Sequence, residues 1–165
     1  MSSFQFRDLS ENDGDRLADE IAFFLQPGDT LCLEGDLGAG KSTFARALIR
    51  ALSGDPSLDV PSPTFTLTQS YETPRFEVAH FDLYRLTDPE EIDELGLESA
   101  LTRGVAVIEW PSRGGDRIPE DHVAMLLEEG DRETLRTVTI TSAASLIERL
   151  QRLAAIRAFV EASGW

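Results

Sequence analysis

The chain has 165 residues, and its 15 Lys and Arg against 30 Asp and Glu give a formal net charge of −15. This acidic balance excludes a broad basic surface for nucleic acid, and the single cysteine, Cys32, excludes an internal disulfide. The length predicts one domain over residues 1–165. We find no apolar run near the roughly 20 residues of a membrane span and no signal-peptide pattern at the start, so we expect a cytoplasmic protein that does not enter a membrane.

Helix and strand patterns alternate through the first half of the chain. Ser10, followed by acidic residues, is typical of a helix N-cap, and Pro27 ends that helix. Gly54 ends a second helix. In chain order the predicted elements are a helix from Ser10 to just before Pro27, a strand over Thr30–Glu34, a helix over Lys41–Leu52 and a loop over Val60–Pro63.

The second half adds further strands. Asp88 is typical of an N-cap, because Pro follows it at the first helical position and Glu at the third. The elements predicted here are strands over Phe65–Tyr71 and Arg75–Asp82, a helix from Asp88, a continuously apolar strand over Val105–Ile108, a hairpin of Val123–Leu127 and Thr134–Ile140, and a closing helix over Ser142–Ala162. Strands that alternate with helices predict an α/β fold, and the hairpin segments predict a mixed sheet.

Residues 35–42, Gly-Asp-Leu-Gly-Ala-Gly-Lys-Ser, match the phosphate-loop pattern G-x-x-x-x-G-K-[ST] between a predicted strand and a predicted helix. Glycines allow several backbone N–H groups to point at a phosphate, and the helix N-terminus adds partial positive charge. Lys41 is expected to reach the β- and γ-phosphates, and the Ser42 hydroxyl to bind Mg²⁺. A glycine-rich turn without a ligand is the alternative. The predicted phosphate-site residues are Gly35, Asp36, Gly38, Ala39, Gly40, Lys41, Ser42 and Thr43.

A nucleotide site also needs a carboxylate near the metal, at the end of a strand. Glu109 directly follows an apolar strand and fits best the rule that sites lie at the carboxyl ends of buried parallel strands. Asp82 ends another predicted strand. Either could instead be a surface residue or a helix cap. The loop Ser62–Thr66 could close over the γ-phosphate and metal, or simply turn the chain into a strand.

Three further features remain open at this point. His80 is more simply a core or supporting residue than a catalytic one, and Trp110 belongs either to the core or to the rim of the site. The acidic residues over positions 88–98 form either a solvated helix face or a docking face. Four arginines could each approach a phosphate, and their spacing does not choose among Arg75, Arg85, Arg103 and Arg113.

Four motifs occur in order: residues 35–42, Ser62-Pro63-Thr64-Phe65-Thr66-Leu67, residues 80–86 (HFDLYRL) and Glu109-Trp110-Pro111. This set closely resembles the bacterial TsaE (YjeE) family of small ATPases, over about residues 10–150. The resemblance implies a P-loop NTPase-like three-layer α/β sandwich with a mixed, mostly parallel sheet. It implies hydrolysis of ATP with Mg²⁺ and a role in forming threonylcarbamoyladenosine next to the tRNA anticodon. It also implies a TsaB–TsaD heterodimer as partner, and contact with tRNA only indirectly, through that complex.

The resemblance also assigns roles to single residues. Ser42 and Glu109 resemble the two Mg²⁺ ligands, and Asp82 resembles an acid important for hydrolysis, so the predicted catalytic residues are Lys41, Asp82 and Glu109. Thr64 and Thr66 lie in a loop comparable to a GTPase switch. Arg132 resembles a late basic position near the nucleotide, with Asp131 where the common pattern has Gly. A small-molecule kinase, for which we see no Arg-dense lid, and a nucleotide-dependent scaffold are the alternatives.

Overall fold

The computed structural model describes residues 2–142 together with 148, 149 and 152. These residues form one seven-stranded sheet with helices packed on it. The strands are β1 (Ser2–Leu9), β2 (Thr30–Glu34), β3 (Thr68–Glu72), β4 (Glu77–Asp82), β5 (Gly104–Glu109), β6 (Val123–Glu129) and β7 (Arg136–Ser142). The helices are α1 (Glu11–Phe24), α2 (Lys41–Ser53), α3 (Glu91–Leu95) and α4 (Leu97–Arg103), and a 3₁₀ helix covers Pro111–Arg117.

The strand order is β1-β7-β6-β2-β5-β4-β3. The central strands β6, β2, β5 and β4 run parallel to one another, whereas the pairs β1–β7, β6–β7 and β3–β4 are antiparallel. The prediction of a mixed sheet is therefore confirmed, but the expectation of a mostly parallel sheet is wrong. Among the described strands, the three parallel pairs are confined to the centre and are matched by three antiparallel pairs, because β1, β3 and β7 are added to the sheet by antiparallel pairing.

The strands β2, β4 and β5 bury both of their faces, which gives the predicted three-layer arrangement. Every residue of β5 is buried. Alternate side chains of a strand point to opposite faces, so Val105 and Val107 pack with α1 and α2, while Ala106 and Ile108 pack with α3 and α4. None of the helices in the described part of the chain is both long and apolar enough to cross a membrane.

The ends of the sheet differ from the sequence prediction. β1 was not predicted, although Phe4 and Phe6 alternate with exposed residues and pair with β7. β3 begins at Thr68 and not at Phe65, because Leu67 has a left-handed φ of 67° and its N–H donates to the Pro63 carbonyl in a turn.

The closing helix predicted over Ser142–Ala162 falls largely outside the described residues. Ser142, where it was predicted to begin, is the last residue of β7. The predicted helix from Asp88 is present as α3, which starts at Glu91 after a turn in which the Asp88 carboxylate accepts from the Glu90 N–H.

The parallel centre of the sheet positions the candidate site. β2, β4 and β5 end side by side, so the loop after β2 lies next to Asp82 at the end of β4 and Glu109 at the end of β5. Asp82 and Glu109 are register partners across the two strands. Carboxyl ends of parallel strands are where α/β sheets bind their ligands.

Candidate functional site

The loop between β2 and α2 has a backbone that only glycines adopt easily. Gly35, Gly38 and Gly40 have φ values of 148°, 81° and 103°. A Cβ on Gly35 would lie 2.5 Å from the Leu127 carbonyl oxygen of β6, so that position also needs a residue without a side chain. Gly40 is the N-cap of α2 and supplies no side-chain cap. The first N–H groups of a 13-residue helix therefore face this loop, as in an anion-binding site.

Lys41, the only lysine in the chain, is buried at the start of α2. Its Nζ donates to the carbonyl oxygens of Gly35 (2.5 Å) and Asp36 (2.8 Å), and it lies 4.2 Å from the centroid of the Trp110 ring. Burial lowers the pKa of this ammonium, and nearby carboxylates, Glu109 first among them, oppose that shift. A buried cation inside a loop of carbonyls is suited to meet an anionic ligand.

Ser42, Glu109 and His80 form a buried chain of contacts. The Ser42 hydroxyl donates to Glu109 Oε1 at 2.8 Å, and Glu109 Oε2 lies 2.6 Å from His80 Nε2. Both Glu109 and His80 are only 1% exposed. Because both carboxylate oxygens have a partner, the Glu109 side chain is fixed with one oxygen directed at Ser42.

Asp82 is the second buried carboxylate at this edge of the sheet. Its Oδ1 accepts from the Tyr84 N–H at 3.1 Å, and its Oδ2 lies 3.5 Å from the Thr64 hydroxyl. The Thr64 hydroxyl is in turn 3.0 Å from that of Ser62. The loop Ser62–Thr66 therefore contacts the acid at the end of β4.

Most of these groups line one open cleft of about 400 Å³. A second cavity of about 310 Å³ adjoins it and shares Gly40, Thr43 and Arg136 with it. The cleft is lined by Leu37, Gly38, Gly40, Lys41, Ser42, Thr43, Ser62, Thr64, Asp82, Tyr84, Arg85, Glu109, Trp110 and Arg136.

A family model described as "Threonylcarbamoyl adenosine biosynthesis protein TsaE" matches residues 9–138. The chain belongs to the TsaE family. Among its relatives, the tRNA threonylcarbamoyladenosine biosynthesis protein TsaE of Rickettsia felis is 39% identical over 144 residues, which are 86% of this chain and 84% of that protein. The protein of the same name from Bacillus subtilis is 33% identical over 91% of this chain and 92% of its own length.

The fold of this TsaE family member is also similar to a solved structure. The crystal structure of YdiB from Bacillus subtilis superposes with a TM-score of 0.77 at 26% sequence identity, covering 95% of this chain and 97% of that one. The family resemblance and the α/β sandwich predicted from the sequence are both confirmed.

The structure brings most of the predicted site residues together. Gly38, Gly40, Ser42 and Thr43 line the cleft with Lys41, Thr64, Asp82 and Glu109. Gly35, Asp36 and Ala39 instead line a neighbouring cavity that shares Gly38 and Arg136 with the cleft. Arg132 is exposed in the turn between β6 and β7 and does not line the cleft.

Several residues of the cleft were not singled out as site residues from the sequence. Trp110 had been left open and belongs to the site, where its ring covers Lys41 and contacts Tyr84, with centroids 4.9 Å apart. His80 is the support of Glu109. Arg136 reaches the loop from β7, and the sequence carried no signal for it other than its positive charge after a predicted turn.

The donor set at the cleft fits Mg²⁺ held partly by phosphate. Within residues 2–142 and the three described further on, no group of three or more His, Cys, Asp or Glu could enclose a metal ion. Mg²⁺ is typically bound by one or two protein oxygens together with substrate phosphates and water. The hydroxyl of Ser42 beside the carboxylate of Glu109 supplies two such oxygens next to the phosphate loop.

Proposed function

We propose that this chain is the Mg²⁺-dependent ATPase of threonylcarbamoyladenosine formation in tRNA, and that it acts with a TsaB–TsaD heterodimer. The observation that carries the ATPase assignment is the contact of Ser42 with Glu109 beside Lys41, inside a loop of positive-φ glycines. The names of the relatives from Rickettsia felis and Bacillus subtilis support the tRNA product. Because tRNA is the molecule modified, we place the activity in the cytoplasm.

In this proposal the phosphate loop and the N-terminus of α2 bind the β- and γ-phosphates, and Lys41 neutralises their charge. Ser42 and Glu109 would hold Mg²⁺, which when bound supplies charge neutralisation at the phosphate oxygens. His80 keeps the Glu109 carboxylate directed at Ser42. Each of these roles requires only a group that already lines or supports the cleft.

Asp82 is the residue we assign to the attacking water. One of its oxygens is anchored by the Tyr84 N–H, and the other faces the Thr64 loop. A carboxylate held in this way can accept a hydrogen bond from water and direct the water oxygen at the γ-phosphorus. The loop Ser62–Thr66 would then exclude bulk water from the reacting atoms.

The adjoining cavity is our candidate for the adenosine part of ATP. It shares Gly40 and Thr43 with the phosphate cleft, and its walls combine apolar and polar side chains. They include Leu9, Phe44, Leu127 and Val138, with Ser10, Glu11 and Asp15 at the polar side. Apolar surfaces on which a base can pack, together with a few polar groups, are typical of nucleotide sites.

We expect slow hydrolysis by the chain alone, because each described arginine that lines the cleft is engaged elsewhere. Arg85 packs over the Phe65 ring, 4.6 Å from its centroid, and Arg136 donates to backbone carbonyls. In related phosphoryl transfer, an arginine supplied by a partner accelerates hydrolysis by about 10³–10⁵-fold. Docking of TsaB–TsaD could supply such a group or order the Thr64 loop.

The test is phosphate release at fixed ATP and Mg²⁺, with and without the TsaB–TsaD heterodimer, at low and high salt. We expect a low rate that the heterodimer raises, less so at high salt, and no rate for Lys41→Ala. In cells, deletion of the encoding gene should remove threonylcarbamoyladenosine from bulk tRNA, and only the wild-type gene should restore it. Full-rate hydrolysis by the chain alone, unchanged by the heterodimer, would favour an autonomous ATPase or kinase.

A further inference from the structure

Arg136 connects the phosphate loop to a hairpin that is distant in the chain. It is the first residue of β7 and is half-buried. Its Nε donates to the Ala39 carbonyl at 2.9 Å, and one terminal nitrogen lies 3.2 Å from the Gly38 carbonyl oxygen. The other terminal nitrogen donates to the carbonyls of Glu133 (2.5 Å) and Leu135 (2.9 Å) in the β6–β7 turn.

The phosphate loop needs donors of this kind on its outer side. A loop that directs its N–H groups inward at a phosphate directs carbonyl oxygens elsewhere, and these oxygens need hydrogen-bond partners of their own. Lys41 donates to the carbonyls of Gly35 and Asp36, whereas Arg136 donates to the carbonyls that follow them. In the proposed function Lys41 leaves the carbonyls of Gly35 and Asp36 and turns toward phosphate when nucleotide binds. The hydrogen bonds from Arg136 to the loop would remain in that state.

We propose that Arg136 is a positioning residue that holds the phosphate loop in its binding conformation from the β6–β7 side of the cleft, through the loop's carbonyl oxygens. The proposal rests on the ATP-binding function proposed above. A guanidinium can reach four carbonyls at once because its donors form a planar fork, and the single ammonium of a lysine cannot. The loop also passes close to β6, where Gly35 meets the Leu127 carbonyl, so β6 and β7 together fix its position.

The test uses the full chain with Arg136→Met, Arg136→Lys and the control Arg7→Met. Arg7 is an exposed arginine of β1, and among the contacts described its Nε donates only to the nearby Gln5 side chain. Arg7→Met removes one positive charge, as Arg136→Met does, without a contact to the phosphate loop. Hydrogen exchange of the amides in residues 35–41 is measured without nucleotide, and Mg·ADP affinity is measured by calorimetry. Circular dichroism and the melting temperature report folding of each variant.

For Arg136→Met we expect the amides of residues 35–41 to exchange several-fold faster, those of β5 to stay protected, and Mg·ADP affinity to fall about tenfold. Arg136→Lys should show the same faster exchange and recover part of the affinity, and Arg7→Met should match the wild type. If Arg136→Met does not fold, Arg136→Lys carries the comparison.

Two results would overturn the proposal. Unchanged exchange in residues 35–41 with lost affinity would show that Arg136 touches the nucleotide instead of positioning the loop. Complete recovery of exchange and affinity by Arg136→Lys would show that charge alone suffices. Failure of the wild-type chain to bind Mg·ADP would refute the proposed function, while the exchange comparison would still decide the role of Arg136.

Discussion

Replacing Glu109 by Gln should separate metal binding from stability. The Glu109 residue is 1% exposed, and its side-chain oxygens contact Ser42 Oγ at 2.8 Å and His80 Nε2 at 2.6 Å. Gln has the same shape and can keep a hydrogen bond to each partner, so we expect the melting temperature to stay the same or rise. A rise would follow from the removal of a buried charge, which costs desolvation free energy.

The effect on Mg²⁺ can be worked from the lost charge. A carboxylate and a divalent cation about 4 Å apart interact by about 8 kcal/mol at an effective dielectric constant of about 20, and about 1.4 kcal/mol corresponds to a factor of ten. Because the amide oxygen of Gln keeps part of the attraction, and the lost charge no longer has to be desolvated, we expect the Mg²⁺ concentration for half-maximal phosphate release to rise on the order of 100-fold. High Mg²⁺ should then restore part of the maximal rate.

The assay is phosphate release at saturating ATP over a Mg²⁺ series, with a thermal melt of each variant. Glu72→Gln is the matched control, because Glu72 also ends a strand, β3, but is exposed and lies outside the cleft. Asp82→Asn should instead lower the rate at every Mg²⁺ concentration while retaining Mg·ADP affinity. Equal, Mg²⁺-insensitive losses from Glu109→Gln and Asp82→Asn would refute this division of roles.

Three further predictions follow from contacts elsewhere in the chain. Mg·ADP should slow acetylation of the Lys41 ε-amine, with the α-amine as internal control in intact-mass spectra, and equal labelling would contradict phosphate contact. Arg75→Ala should lower the free energy of unfolding by about 1–2 kcal/mol, because its guanidinium donates to three carbonyls at the end of α1; an unchanged urea midpoint would contradict this. Burial raises the pKa of the Cys32 thiol from 9.0 to about 12, so the unfolded chain loses this proton first and stability falls as pH rises from about 9 toward 12. Cys32→Ala should lack that part of the alkaline slope in denaturant titrations at pH 8, 9 and 10.

The parts of the site that the sequence predicted are those whose signals are local. Residues 35–42 combine glycines, a lysine and a helix start within eight positions, and the structure places them as the loop after β2 and the first two residues of α2. Glu109 was predicted because it follows a continuous apolar run, and such a run is typical of a strand buried on both faces. Because β5 pairs with β2 and β4, Glu109 at its end lies beside the loop that follows β2.

The parts that the sequence did not predict depend on pairing between distant segments. Phe4 of β1 pairs with Ile140 of β7, and without β7 beside it the N-terminal alternation does not distinguish an edge strand from an irregular start. The segment from Phe65 is the opposite case: apolar and polar residues alternate there and predicted a strand, but Leu67 turns the chain before the strand begins. Phe65 is 82% exposed, and its ring packs against Arg85, which lines the cleft, so this apolar residue does not belong to the core.

The two arginines of the last hairpin show why residue type and spacing were insufficient at the cleft. The turn closes through hydrogen bonds from the Gly130 N–H to the Leu135 carbonyl and from the Leu135 N–H to the Arg132 carbonyl, which leaves the Arg132 side chain exposed. Arg136 begins β7 opposite Glu129, at the end of β6 that lies nearest the phosphate loop. Which arginine faces the loop is therefore decided by the closure of the turn and the strand order β7-β6-β2, not by distance along the chain. The geometry favours a larger loss of Mg·ADP affinity for Arg136→Met than for Arg132→Met. The reverse order would show that Arg132, as the sequence resemblance implied, is the basic residue near the nucleotide.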